Sequence, residues 1–153
     1  MKVLQGRWAV VRGEEPLETD PLGACVALVL LDQERGVAGL LHYMLPEKGD
    51  LETPSGAPGF FASEGIPALI KEFQAQGGDP FRARVVVVGA GRFKKAPKAL
   101  DLGSRNAAAA RFYLKRLGLE PQIERVGGIE PRRVRVSLKE GLVVYTFDQP
   151  EVL

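Results

Sequence analysis

Residues 25 to 31 read Cys-Val-Ala-Leu-Val-Leu-Leu without a polar break, and residues 37 to 41 read Val-Ala-Gly-Leu-Leu. Only Asp32-Gln33-Glu34-Arg35-Gly36 separates the two runs. A strand with one wet face alternates apolar and polar side chains, so an unbroken apolar run predicts a strand covered on both faces. The two runs together predict a buried hairpin closed by a polar turn.

The remaining segments supply partners for that hairpin. Arg7 to Val11 reads as a strand, ended by the polar stretch Gly13-Glu14-Glu15-Pro16. Further strands are expected at Arg84 to Val88, Gln122 to Val126, Val134 to Leu138 and Leu142 to Phe147, the last two joined by Lys139-Glu140-Gly141. Ile66, Leu69, Ile70 and Phe73 follow the i, i+3, i+4, i+7 spacing of a helix with one apolar face. Ser63 is its expected N-cap, Pro67 lies near its start, and Gly77-Gly78 ends it. A second helix opens at Gly103 or Ser104, turns Ala107, Ala110, Leu114 and Leu117 inward and Arg111 and Lys115 outward, and stops at Gly118. Between Pro46 and Gly59 lies a Gly/Pro-rich loop of a length that is either mobile or functional. Strands at both ends and two main helices between them indicate an α+β class with mainly antiparallel strands, in one domain spanning residues 1–153.

A chain of 153 residues is long enough for one real core. A single cysteine excludes an internal disulfide framework and suits a reducing compartment. The segment Met1 to Arg7 has no apolar signal core, and no run approaches the roughly 20 apolar residues that span a bilayer. The expectation is a cytoplasmic protein without membrane insertion. The net charge of +2 scarcely favours an anionic partner. Basic residues cluster as Lys94-Lys95-Ala96-Pro97-Lys98 and as Arg125, Arg132, Arg133 and Arg135. No recognition motif or aromatic stacking platform accompanies them, so they read as solvated faces, with no nucleic acid as partner.

The lone cysteine, Cys25, opens the first apolar run, and the lone histidine, His42, closes the second. A thiol and an imidazole are the minimal pair for nucleophilic acyl chemistry, because the imidazole can generate the thiolate. If the turn holds four residues, Asp32 to Arg35, Cys25 falls directly opposite His42; a five-residue turn places them on opposite faces. Taken alone, the pair also fits a buried, inert thiol and a hydrogen-bonded histidine at a strand end. Three features favour chemistry. Gly23 suits a tight turn that leaves backbone N–H groups free for an oxyanion. His42 adjoins the long loop, and Thr19 and Asp20 lie upstream where they can orient the imidazole.

Other chemistries fit less well. Val88-Gly89-Ala90-Gly91 resembles the start of a dinucleotide-binding turn, but Lys94-Lys95-Ala96-Pro97 is a poor helix start for receiving a pyrophosphate. The glycines there suit close backbone approach or a sharp turn. A structural zinc site needs about four Cys or His ligands, and the chain has one of each. No cofactor is expected.

Thr19, Gly23-Ala24-Cys25-Val26 and His42-Tyr43-Met44-Leu45-Pro46 resemble the pattern of the chemoreceptor glutamine deamidase family, CheD. Val88-Gly89-Ala90-Gly91, Leu102-Gly103-Ser104-Arg105-Asn106 and Gly127-Gly128-Ile129-Glu130-Pro131-Arg132 resemble the family in the same order, so the likeness covers roughly Gly6 to Tyr145. The chain departs from the pattern at Ala24, where the family usually has Ser. Phe60-Phe61-Ala62-Ser63-Glu64 lacks the family's frequent Asp, and Gly91-Arg92-Phe93 stands for Gly-Gly-Ala.

The resemblance implies an α/β/β layered sandwich similar to bacterial deamidating toxins, and hydrolysis of receptor glutamine side chains to glutamate plus ammonia. Carried over by position, it implies Cys25 as nucleophile, His42 as general base and Thr19 as the residue that orients the histidine. A thioester intermediate follows, with the backbone N–H groups of Ala24 and Cys25 facing the oxyanion. The implied partners are a chemoreceptor substrate and a CheC-type phosphatase. The rival reading is a non-catalytic CheD-like binding module that keeps the fold and regulates such a phosphatase or another partner.

Overall fold

The structure, a computed structural model, describes residues 1–92 and 101–153. The two apolar runs form β3 (Val26–Asp32) and β4 (Val37–Tyr43), and every residue of both is buried. β1 (Arg7–Val11) pairs antiparallel with β4, and β5 (Arg84–Gly89) pairs antiparallel with β3. β6 (Ile123–Val126) lies parallel to β5, which completes a five-stranded sheet in the order β1-β4-β3-β5-β6. A second, antiparallel sheet has the order β2-β7-β8-β9, from β2 (Leu17–Glu18), β7 (Arg132–Ser137), β8 (Gly141–Thr146) and β9 (Gln149–Val152).

The hairpin is the middle of three layers, and that is why it carries no polar alternation. Successive strand side chains point to opposite faces. Val26, Leu28 and Leu30 of β3, with Leu41 and Tyr43 of β4, meet α1 (Ala62–Ala75) and α2 (Leu102–Arg116) through Ile66, Leu69, Phe73, Ala110 and Leu114. Ala27, Val29, Leu31, Ala38 and Leu40 face the other way and pack on Leu17, Val134, Val136, Leu142 and Val144 of the second sheet. Both faces are therefore apolar, and the architecture is an α/β/β sandwich of the α+β class. Asp32, the one charged residue in the hairpin strands, is buried at the turn. Its carboxylate accepts the backbone N–H groups of Arg35 and Asp79, each at 3.0 Å.

Several sequence expectations need correction. The hairpin turn has four residues, but they are Gln33 to Gly36, because Asp32 pairs with Val37. α1 has Phe61 at its N-cap with no side-chain cap, while the Ser63 hydroxyl lies in the first turn and accepts the Lys48 N–H at 3.0 Å. The helix also runs through Pro67. The chain does not end its pairing at β8: β9 adds an exposed edge strand, where Pro150 is tolerated because an edge need not donate on its outer side. α2 carries the chain between β5 and β6, which makes that pair parallel, since only a crossover can return a strand in the same direction.

The arginine cluster is neutralised within the fold. Arg125 binds Glu151 at 2.8 Å, Arg133 faces Asp148 and lies over the Tyr145 ring, and Arg135 binds Glu18 at 3.1 Å. Arg132 donates to the Gly127 carbonyl. The other basic group, Lys94-Lys95-Ala96-Pro97-Lys98, lies outside the described residues, as does Phe93. Among the described residues no helix is long and apolar enough to cross a membrane.

Candidate active site

Between β2 and β3 the chain passes from the outer sheet to the central one. Thr19 and Leu22 are still bonded to β7: Thr19 N–H donates to the Val134 carbonyl, and Leu22 N–H to that of Arg132. Gly23 and Ala24 then bend the chain, and Cys25 enters β3 one residue before its first ladder pair. The register sets Ala27 opposite His42, so Cys25 and His42 share a face but stand two positions apart rather than directly opposed. In a regular antiparallel pair such diagonal neighbours lie roughly 7 Å apart. Continued by two residues, the register brings Met44 opposite Cys25, and Sγ of Cys25 lies 3.2 Å from Sδ of Met44.

Cys25 and His42 open into one cavity of about 770 Å³, with Asp20, Gly23, Ala24, Met44, Gly91, Arg92 and Asp101 among its walls. The cysteine is partly exposed, and the histidine is buried with its ring edge at the wall. Burial pushes the Cys25 thiol above its ordinary value, against a smaller downward pull from its own backbone N–H. Burial also pushes His42 below the usual imidazole value, more than the Val3 carbonyl and the Asp20 charge raise it. Both shifts favour the neutral forms. Among the described residues no hydrogen bond joins the two side chains.

The orientation of the imidazole is set by the N-terminal segment. Nδ1 lies 3.2 Å from the Val3 carbonyl oxygen, which can only accept, so Nδ1 carries the proton. In a neutral ring Nε2 then holds the free lone pair, the form a general base requires. The same segment is clamped to β4 and β2: Gly6 N–H donates to the His42 carbonyl at 2.7 Å and Val3 N–H to that of Glu18 at 2.8 Å. Val3 acts through its backbone, so no side-chain pattern could have pointed to it. Thr19 is buried nearby, and its hydroxyl oxygen accepts the Val134 N–H at 3.2 Å. It thus anchors the stretch that carries Asp20, whose charge bears on the imidazole.

The bend at Gly23-Ala24 presents two backbone donors beside the thiol. Among the described residues neither the Ala24 nor the Cys25 N–H has a backbone acceptor. The carbonyls of the bend, Gly23 to Cys25, are all held. Gly23 O accepts the Gly91 N–H at 2.8 Å, Cys25 O accepts the Ala90 N–H at 2.8 Å, and Ala24 O accepts Nδ2 of Asn106 at 2.9 Å. β5 can reach this bend because Gly89 has φ 109°, and a Cβ there would meet the Cys25 carbonyl oxygen at 2.4 Å. Ala90 continues the turn with φ 53°, a conformation that costs a residue with a side chain on the order of 1 kcal/mol. Gly89, at the end of β5, and Gly91 after it therefore serve close backbone approach.

The sequence model of the family described as CheD chemotactic sensory transduction matches residues 44–146. A probable chemoreceptor glutamine deamidase CheD of Methanococcus vannielii is 35% identical over 145 residues, covering 94% of this chain and 92% of that protein. One of Methanococcus maripaludis is 33% identical with the same coverage. One of Bordetella parapertussis is 31% identical over 144 residues, covering 94% of this chain and 68% of the longer relative.

Proposed function

The chain belongs to the CheD family, and from that premise we propose that it is a protein-glutamine deamidase acting on chemoreceptors. The observation that carries the reading is one cavity holding the Cys25 thiol, the His42 imidazole with Nδ1 turned to the Val3 carbonyl, and the Ala24 and Cys25 N–H groups, which have no backbone acceptor among the described residues. That set matches the needs of amide hydrolysis: a nucleophile, a base and a receiver for the oxyanion.

In the proposed reaction Nε2 of His42 takes the Cys25 proton, and the thiolate attacks the carboxamide carbon of a glutamine side chain. The negative oxygen sits on the Ala24 and Cys25 N–H groups. The imidazolium returns its proton to the amide nitrogen, the C–N bond breaks, and ammonia leaves a thioester on Cys25. Water, deprotonated by the same nitrogen, attacks the thioester and releases glutamate and the free thiol. Ala24 in place of the usual Ser is compatible with this, because the donor it supplies is backbone. Thr19 acts as the orienting member through the segment it anchors ahead of Asp20.

Ammonia release from a receptor-derived glutamine substrate tests the proposal. Cys25→Ala is expected to abolish release while the fold persists; equal release from the two proteins overturns it. The rival, a binding module that regulates a CheC-type phosphatase, draws on one observation: the resting thiol donates to Met44, and among the described residues no hydrogen bond joins it to His42. Thiol alkylation followed against pH separates the two. Reactivity near neutral pH that His42→Ala depresses supports catalysis, and alkylation indifferent to that change supports the module.

A further inference from the structure

Asn106 lies in the second turn of α2, in a run whose inward positions are otherwise glycine, alanine and leucine. It is fully buried. Its side-chain nitrogen donates twice, to Ala24 O at 2.9 Å and to Met44 O at 2.8 Å. Its side-chain oxygen has no partner among the described residues and almost no contact with solvent. A buried polar oxygen without a partner is costly, and an alanine would pack there as its neighbours do.

The two carbonyls it holds explain the cost. Ala24 O belongs to the peptide unit whose other end is the Cys25 N–H. In a trans peptide these two bonds point in opposite directions within one plane, so holding the oxygen aims the hydrogen. Met44 O belongs to the residue whose sulfur touches the Cys25 thiol. One amide group thus sets both the donor that faces the oxyanion and the strand end against which the nucleophile rests. The preceding peptide unit is aimed in the same way, with Gly23 O on the Gly91 N–H and the Ala24 N–H without a backbone acceptor among the described residues. The asparagine is itself held, since the Tyr43 hydroxyl donates to its backbone carbonyl.

We infer that Asn106 is a positioning residue for the deamidation reaction: its side-chain amide, tied to β4 through the Met44 carbonyl, aims the Cys25 N–H at the oxyanion. The inference rests on the deamidase reading. It assigns Asn106 no contact with substrate, so binding survives its loss while the chemical step slows.

The test compares wild type with Asn106→Ala in ammonia release from a receptor-derived glutamine substrate, and with iodoacetamide and an aldehyde analogue of the glutamine side chain. Iodoacetamide needs only the thiolate. The aldehyde forms a tetrahedral adduct whose oxygen needs the N–H donors. Misplacing a catalytic group by about 1 Å costs on the order of 100-fold. The expected result is a kcat lowered about 100-fold with little change in KM, weaker aldehyde binding, and an alkylation pH profile like that of wild type. Should Asn106→Ala fail to fold, Asn106→Ser, which keeps one donor, carries the test with a smaller fall in kcat. A folded variant with wild-type kcat and aldehyde affinity overturns the inference alone. Parallel loss of alkylation and turnover also overturns it, since the residue would then act on the thiol and not on the donors. Wild type that releases no ammonia overturns the deamidase reading and the inference with it.

Discussion

Gly103→Ala separates the geometry of the site from the stability of the fold. Gly103 is in the first turn of α2, and a Cβ built there would meet Gly91 O at 2.3 Å and Ala90 O at 2.4 Å. Ordinary contact begins at 3.4 Å, so these carbonyls must retreat by about 1 Å, and both are backbone atoms that cannot swing aside. Overpacking of this kind costs about 1–3 kcal/mol, and replacing glycine by alanine in a helix returns up to about 1 kcal/mol. The net loss of stability is therefore expected between about zero and 3 kcal/mol, which most folded proteins survive. The site is affected more severely. Gly91 N–H holds Gly23 O at 2.8 Å, so the same movement tilts the peptide that aims the Ala24 donor, and kcat should fall on the order of 100-fold. Urea denaturation gives the stability change, and ammonia release at saturating substrate gives kcat. An undiminished kcat in the folded variant refutes the reasoning, because the strand end and the bend would then be uncoupled.

Two further outcomes follow from buried groups at the site. Thr19→Val leaves the Val134 N–H without its acceptor and should cost about 1–3 kcal/mol in denaturant unfolding, with Thr19→Ser restoring most of it; a kcat that merely tracks the folded fraction would deny Thr19 its proposed orienting role. His42 has a native pKa depressed mainly by burial, so below the ordinary value of 6.5 the unfolded chain takes up a proton that the native state resists. Its contribution to stability is therefore fully present above that value and is lost as pH falls through it towards the native pKa, and His42→Gln should flatten this part of the profile; equal slopes for the two proteins would contradict the burial argument.

Much of the fold was legible because its physical causes are local. The unbroken apolar runs at residues 25–31 and 37–41 required cover on both faces, and the structure supplies helices on one side and a second sheet on the other. The 3.6-residue spacing of Ile66, Leu69, Ile70 and Phe73, and of Ala107, Ala110 and Leu114, likewise marked the inward faces of both helices. The short β2 and the edge strand β9 were not legible, since two residues show no periodicity and Gln-Pro-Glu-Val has no strand propensity of its own. The pairing register was open as well, because slipping the turn from residues 32–35 to 33–36 changes the partner of every strand residue without altering the composition of either face.

The sequence by itself determined the chemistry available to the site: one thiol, one imidazole, and a glycine-bearing bend before the cysteine, all within short segments whose pattern resembles one family. Tertiary structure alone decided how those groups are held. The proton on Nδ1 of His42 depends on the Val3 carbonyl, the thiol rests on Met44, and the peptide before Cys25 is aimed by Asn106. Those three partners lie 39, 19 and 82 residues away along the chain. The ring and the peptide are held at backbone carbonyls, which every residue possesses, so no local pattern of side chains can announce which of them will be engaged.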